Sequence, residues 1–497
     1  MVMEKYAVFE VGTTHIRMTI ANGKVGEHFH IYKMLSEPIH INQHIESDGM
    51  IKSAKIHECV TILKMYKKIC EAEGVKNFVA VCAQNLTTAK NYKSFIDELG
   101  ASIHQEFKLL TNEDETNLIY TAVINTLAVS KGVIVNISSF STRIIHYSRR
   151  MILDSVTIPY GSVSIMENQG VDAFKKQLEQ NAQFLKGLDP ETQIVGVGDV
   201  VTSFGRLARK MKKYPYDHDH NYVADLATFK QVFDFISTLD IEKRQKIKGI
   251  SSHSSRTILG GMCILDAVLK YSKVESLVTS MAYRNVGLLC NAVIPTTLER
   301  PINDLLTYSL DTIYDISHLD SEKARRHYDL SLMLFKQIRV LHKLPRVYAK
   351  VLRVASCMYH SGGYINNYHA ILAAPILGVS HKEIVLAAFA SSFKKWEDFQ
   401  LNEWVKYKDM VTDEDLEAVR KISMMLAVAD AFDIRGKEII KDLSCDVLGD
   451  SVILKLIVDT ENQMIKTDVG VADVEIFHAK KCAKEFMNTF KKQLELL

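Results

Sequence analysis

Glu10, Gly12, Thr13, Thr14 and Arg17 crowd one short stretch, YAVFEVGTTHIRMTI (residues 6–20). A carboxylate can hold a cation, and a tight turn of small and hydroxyl residues can point several backbone N–H groups at one anion. A guanidinium close by can pair with an oxyanion. On its own the loop is also explained as a simple hairpin turn. Arg17 alternates with Ile16 and Met18, so it lies on the opposite face of its strand, where an ordinary surface arginine is the plain alternative.

A second stretch has the same design. KGVIVNISSFSTRIIHYSRRMILDSVTIPYG begins at Lys131. Like the first, it has an apolar strand, a loop of small polar residues, an alternating strand with an arginine, a polar turn and a third strand. Asn136 falls where Glu10 falls, and SSFST corresponds to GTTH with one residue more. The pattern is a repeated βββα unit, and two such lobes face to face enclose a cleft between their loops.

The elements that must carry these loops follow from periodicity. ANGK (21–24) reads as a hairpin turn and EHFHIYKML as the next strand. Residues 53–74 have one apolar face of a helix ended by Gly74. VKNFVAVCAQ is a strand, and NYKSFIDELG a short helix closed by Gly100. NEDETNLIYTAV starts a helix with an acidic first turn, capped by Asn112 or Thr111. After the second unit come the helix VDAFKKQLEQNAQFLKGL, the strand TQIVGVGD and a helix from about Val201. The GVGD trio of Gly196, Gly198 and Asp199 is weak evidence for a nucleotide, because a close strand-to-helix turn also explains it. A mostly helical region follows a boundary near Pro301, with helices over 324–341 and 345–358, and the chain closes with strands and a helix. The basic run from Arg206 into PYDHDHNY reads as a solvated helix face and loop, and His218 and His220 lack an evident third metal ligand.

At 497 residues the chain is too long for one core and suggests about three domains. Lysine and arginine total 61 against 59 acids, a net charge of +2 that neither demands nor excludes a polyanionic ligand. The eight cysteines stand singly with no CxxC pair, as expected of reduced thiols in a cytoplasmic protein. Neither a signal peptide nor a membrane span is expected.

In the order and spacing of these features the chain resembles the Ppx/GppA family of exopolyphosphatases and guanosine pentaphosphate phosphatases. The resemblance covers nearly the whole length. Glu10-Val11-Gly12-Thr13-Thr14-His15-Ile16-Arg17 is similar to that family's Asp-Ile-Gly-Ser-Asn-Ser-x-Arg, and residues 111–120 to its Ser-Gly-x-Glu-Glu-Ala-x-Leu-Ile-Tyr. Asn136-Ile137-Ser138-Ser139-Phe140-Ser141-Thr142-Arg143 stands where the family has Asp-Ile-Gly-Gly-Gly-Ser-Thr-Glu. SVTIPYGSVSIME, VGVGDVVTSFGRLAR and SMAYRNVGLL match later segments more loosely.

The resemblance implies an α/β fold of duplicated actin-like (ribonuclease H-like) lobes, at residues 1–124 and 125–302. A mostly helical HD-like module with a small C-terminal α/β cap follows at 303–497. It implies magnesium-dependent removal of a terminal phosphate from polyphosphate or guanosine pentaphosphate, by a cytoplasmic homodimer with no nucleic-acid or membrane partner. Carried over by position, the catalytic residues are Glu10, Arg17, Asp114 and Glu115. Gly12, Thr13, Thr14, Ser138, Ser139, Ser141, Thr142, Arg143, Arg256 and Arg284 would bind phosphate, and Glu10 and Asn136 would hold Mg2+. The departures point to an alternative. Glu10 is longer than the family's Asp, and Asp114 shorter than its Glu. Three glycines become Ser138-Ser139-Phe140, although such glycines are not freely replaceable. Asn136 loses a charge, Arg143 reverses one, and Asn285 replaces another Glu. A cleft made more positive in this way can hold phosphates without cutting them, as a degenerate polyphosphate- or nucleotide-binding regulator would. In the helical module His360-Ser361 replaces a His-Asp metal pair, so His327, His360 and His369 read as core or inter-helix histidines.

Overall fold

The strand pairs at the two loops form because each apolar run turns back on itself. β1 (Glu4–Val11) pairs antiparallel with β2 (His15–Lys24), and β2 with β3 (His28–Pro38). The β2–β3 turn lies at 25–27, just beyond the expected ANGK, which continues the strand. β4 (Asn77–Cys82) and then β5 (Lys108–Leu109) add in parallel, giving the order β3-β2-β1-β4-β5. β1 is buried from Tyr6 to Val11, as befits a strand covered on both faces. One face packs Ile16, Met18, Leu63, Tyr66 and Phe95 into a core with the helices Ser53–Ala72 and Tyr92–Ile103. The second of these helices runs past Gly100, which had been expected to end it, and stops at His104 in the left-handed region.

The second copy has the same plan. β6 (Lys131–Ile137), β7 (Thr142–Ser148) and β8 (Met151–Ile158) form an antiparallel meander. β9 (Gln193–Val197) joins β6 in parallel, and β10 (Val223–Asp225) and β11 (Ser276–Ser280) complete the order β10-β11-β9-β6-β7-β8. Glu10 faces Arg17 across β1–β2 as Asn136 faces Arg143 across β6–β7. Gly12 N–H donates to His15 O at 2.9 Å, and Ser138 N–H to Ser141 O at 3.0 Å. The two hairpins are therefore equal in length, not one residue different as the sequence alignment had it.

Two helices cross between the copies. Asn112–Ile124 lays Ile119, Ala122 and Val123 on the second sheet, against Ile134, Ile145 and Val195. Arg284–Val293 packs on β1 and β2 of the first sheet and against Asn112–Ile124. The two helices meet closely, since a Cβ on Gly287 would lie 2.2 Å from Leu118 O. This fit brings the first turns of both helices to one place.

The structure is a computed structural model that describes residues 3–41, 45, 48–166, 170–294, 302–360, 364–458 and 470–497. Pro301 and Ser361, singled out above, lie outside the described residues. The chain divides into two compact units. The first, Met1–Lys213 with Asp217–Tyr308, contains both sheets. The second comprises Tyr214–Tyr216 with Ser309–Leu497. Its helices include Ser321–Gln337, Tyr348–Cys357, His381–Ala390 and Asp413–Phe432, packed through Leu334, Leu352, Phe389 and Ile422. β12 (Ile440–Leu448), β13 (Ser451–Val458) and β14 (Gln493–Leu496), with the helices Asp473–Lys480 and Ala483–Phe490, form the small C-terminal α/β part. No described helix is long and apolar enough to cross a membrane.

Candidate functional site

Both hairpin tips open onto one cleft of about 330 Å³ inside the first unit. Gly12, Thr13 and Thr14 line it from one side, and Ser138, Ser139 and Ser141 from the other. Glu10, Arg17, Glu115, Asn136, Arg143 and Arg284 also reach it. Arg17 is on the cleft face because its neighbours Ile16 and Met18 are fully buried beneath the sheet. Its guanidinium lies 3.4 Å from the Asp199 carboxylate, so a residue of one copy touches the helix start Asp199–Met211 of the other.

The floor of the cleft is a chain of ion pairs. Arg284 donates from Nε to Glu10 Oε1 and from Nη1 to Glu115 Oε1, both at 2.8 Å. Arg143 donates from Nη2 to Glu115 Oε2 at 2.9 Å. Burial opposes the charge on Arg284, but its two carboxylates more than offset this and hold its pKa above the ordinary value. Burial lowers the pKa of Arg143, with Glu115 acting against that. Two guanidiniums thus face two carboxylates, and both oxygens of Glu115 are engaged.

Several expected residues stand elsewhere. Asp114 points away from the cleft and closes a capping box with Thr111, whose backbone N–H and hydroxyl both donate to Asp114 Oδ2 at 2.8 Å. Lys108 Nζ lies 2.8 Å from Asp114 Oδ1, and this bond, then that to Thr111, holds the carboxyl at about 2. The steering role assigned to Asp114 therefore has no geometry behind it, and Glu115 is the carboxylate that faces the cleft. Thr142 is fully buried and donates to Tyr160 O, because it alternates with Arg143 along β7. Arg256 is exposed on the helix Ser252–Ser272 and does not line the cleft. The Ser138 hydroxyl bonds back to Ser141 at 2.9 Å within its own hairpin. Phe140 does sit at the cleft, as its position beside Ser139 implied.

The residues do not fit magnesium. Glu10, the expected ligand, already accepts from Arg284, and Asn136 is neutral. Among the described residues no three His, Cys, Asp or Glu side chains are placed to share a metal. Magnesium demands several oxygens in tight octahedral geometry, whereas the two carboxylates of this floor are already paired with two guanidiniums.

A model of the Ppx/GppA phosphatase family matches residues 19–289, more than half of the chain. The chain belongs to the Ppx/GppA phosphatase family. The Ppx/GppA family member of Aquifex aeolicus, a solved structure, is 23% identical with a TM-score of 0.53, covering 60% of this chain and 100% of its own. An exopolyphosphatase from Cytophaga hutchinsonii is 14% identical with a TM-score of 0.52, covering 58% of this chain and 98% of its own. Among curated proteins no relative matches. At these identities the likeness shows the fold, which is the duplicated actin-like one. Within this Ppx/GppA chain, cleft residues not singled out from sequence include Tyr283, Ser162, Thr257 and Asn85. Tyr283 precedes Arg284, and Thr257 follows Arg256, so proximity to a chosen residue was the signal available for these two. The capping pattern Thr111-x-x-Asp114 was the signal that separates Asp114 from Glu115.

Proposed function

We propose that the cleft receives the terminal phosphates of polyphosphate or a guanosine polyphosphate, and that this family member holds them rather than cutting them. The observation that carries the reading is the convergence of the two hairpin tips on one cleft with Arg17, Arg143 and Arg284. Charge-assisted bonds from arginine suit the oxygens of a terminal phosphate. Hydrolysis needs in addition a group free to steer water in line, and both oxygens of Glu115 already accept from arginines.

Titration calorimetry of the full chain with long-chain polyphosphate and with guanosine pentaphosphate tests this. Binding to at least one is expected, and Arg17→Ala should weaken it roughly tenfold or more, the effect of losing one charged hydrogen bond. Absence of binding to both would sink the reading. A second reading, phosphoanhydride hydrolysis, is favoured by one observation: Glu115 stands at the cleft in the family's acidic segment. It predicts phosphate release that collapses in Glu115→Gln, and equal rates in wild type and variant would rule it out.

A further inference from the structure

A metal-dependent phosphate site leaves its carboxylates open for the ion. Here the Glu10 and Glu115 side chains are only 5% and 13% exposed, and Arg284 lies between them with one nitrogen on each. Arg143, at 4%, closes the far side of Glu115. Its Nε is buried without a hydrogen-bond partner, and its Nη2 lies 3.5 Å from Asn112 Oδ1. An arginine stays charged at any pH of interest, so this cation cannot be removed by deprotonation. For a divalent ion to take the place of Arg284 between Glu10 Oε1 and Glu115 Oε1, the guanidinium would have to give up both carboxylates, and losing them while still buried is strongly unfavourable.

We propose that the Arg284 guanidinium, seconded by Arg143, is the resident cation of this cleft, and that the ligand is bound as the uncomplexed polyanion rather than as its magnesium complex. This rests on the terminal-phosphate reading above and adds to it the form in which the ligand is recognised. A magnesium ion carried in on the phosphate chain would meet two guanidiniums at close range. Its loss instead leaves the phosphate oxygens free for them. The specificity follows from the occupied carboxylates: with Glu10 and Glu115 paired to arginines, the site selects phosphate chains that carry no divalent cation.

Calorimetry with tripolyphosphate at matched ionic strength, in EDTA and in millimolar magnesium, tests the proposal. The wild-type chain should bind in EDTA. Magnesium should weaken binding by sequestering the ligand, and magnesium alone should give no binding heat. The double variant Asn136→Asp, Arg143→Glu restores the acidic residues of the family pattern. It should bind roughly tenfold to a hundredfold more weakly in EDTA and should gain affinity when magnesium is added. Wild-type binding that appears only with magnesium, or tightens tenfold with it, overturns the inference while leaving the terminal-phosphate reading standing. Absence of binding in both conditions overturns that reading, and this inference with it. The wild-type comparison decides the matter alone if the double variant does not fold.

Discussion

On the first turn of the helix Asn112–Ile124, two consecutive carboxylates meet different partners. Asp114 bonds Thr111 and Lys108, and Glu115 bonds Arg143 and Arg284. The difference is angular, since successive residues on a helix point about 100° apart, and only one of two neighbours can face the cleft. Asp114→Ala should therefore cost about 1 kcal/mol of stability, the usual worth of a helix cap, and leave phosphate affinity unchanged. Its sign with pH follows from a folded pKa of about 2 against an ordinary 3.8. The stabilisation is full above about pH 4 and is lost as pH falls through about 2. Denaturation curves and calorimetry on one variant check both halves, and a loss of affinity would return Asp114 to the site. Motif alignment alone could not separate these two residues, because it is blind to which oxygen already has a partner. The same limit explains Thr142 and Arg256: Ser141, Arg143 and Thr257 beside them line the cleft, while they themselves face elsewhere.

Hairpins and crossing helices are the elements that turn these residues into a site. The second hairpin is held from below by residues 162–164, whose N–H groups donate to Ser138 O and Ser139 O. Gly161 permits that approach: a Cβ there would lie 2.3 Å from Ser138 O and 2.4 Å from Phe140 N. Gly161→Ala must then displace loop backbone. It should cost about 1–3 kcal/mol, as overpacking does, and weaken phosphate binding with the first hairpin intact. Denaturant unfolding together with calorimetry reads both effects, and wild-type values for each would show that the hairpin does not need this support. Much of this scale was legible in the chain. Alternation located the strands, and the repeat put Asn136 in register with Glu10, because both patterns are local. What escaped was tertiary. The helix Asn112–Ile124 follows the first sheet in sequence yet packs on the second, and Arg284 reaches Glu10 from far along the chain. Neither pairing leaves a periodic trace, since each depends on how two surfaces fit.

Across the whole molecule, carboxylates meet side-chain cations in both units. In the second, Lys394 Nζ lies 2.6 Å from Asp430 Oδ2, with His360 Nε2 3.5 Å from the other oxygen, so one carboxylate lies between two nitrogen groups as Glu115 lies between Arg143 and Arg284. His327 donates from Nε2 to Leu426 O at 2.9 Å as a core histidine, and His369 is exposed. The first unit has a buried imidazole of its own that ties the crossing helices together. His220 Nε2 donates to Thr126 O at 3.0 Å, just past the helix that carries Glu115, and its Nδ1 accepts from Met281 N–H at 3.2 Å, just before Arg284. A second proton on this ring would break the bond from Met281. Burial, with His218 adding to it, pushes His220 down to about 4 from an ordinary 6.5. The unfolded chain therefore takes up the proton first: stability is full above about pH 6.5 and declines as pH falls towards about 4. Between pH 7 and 5 the loss should be on the order of 2 kcal/mol from this one group. It should be accompanied by weaker phosphate binding, because the anchors of Glu115 and Arg284 loosen together. Denaturant unfolding of the wild type and of His220→Gln at both pH values provides the check. The variant starts less stable but should lose about 2 kcal/mol less on acidification, and parallel losses in the two proteins would place the acid-sensitive group elsewhere.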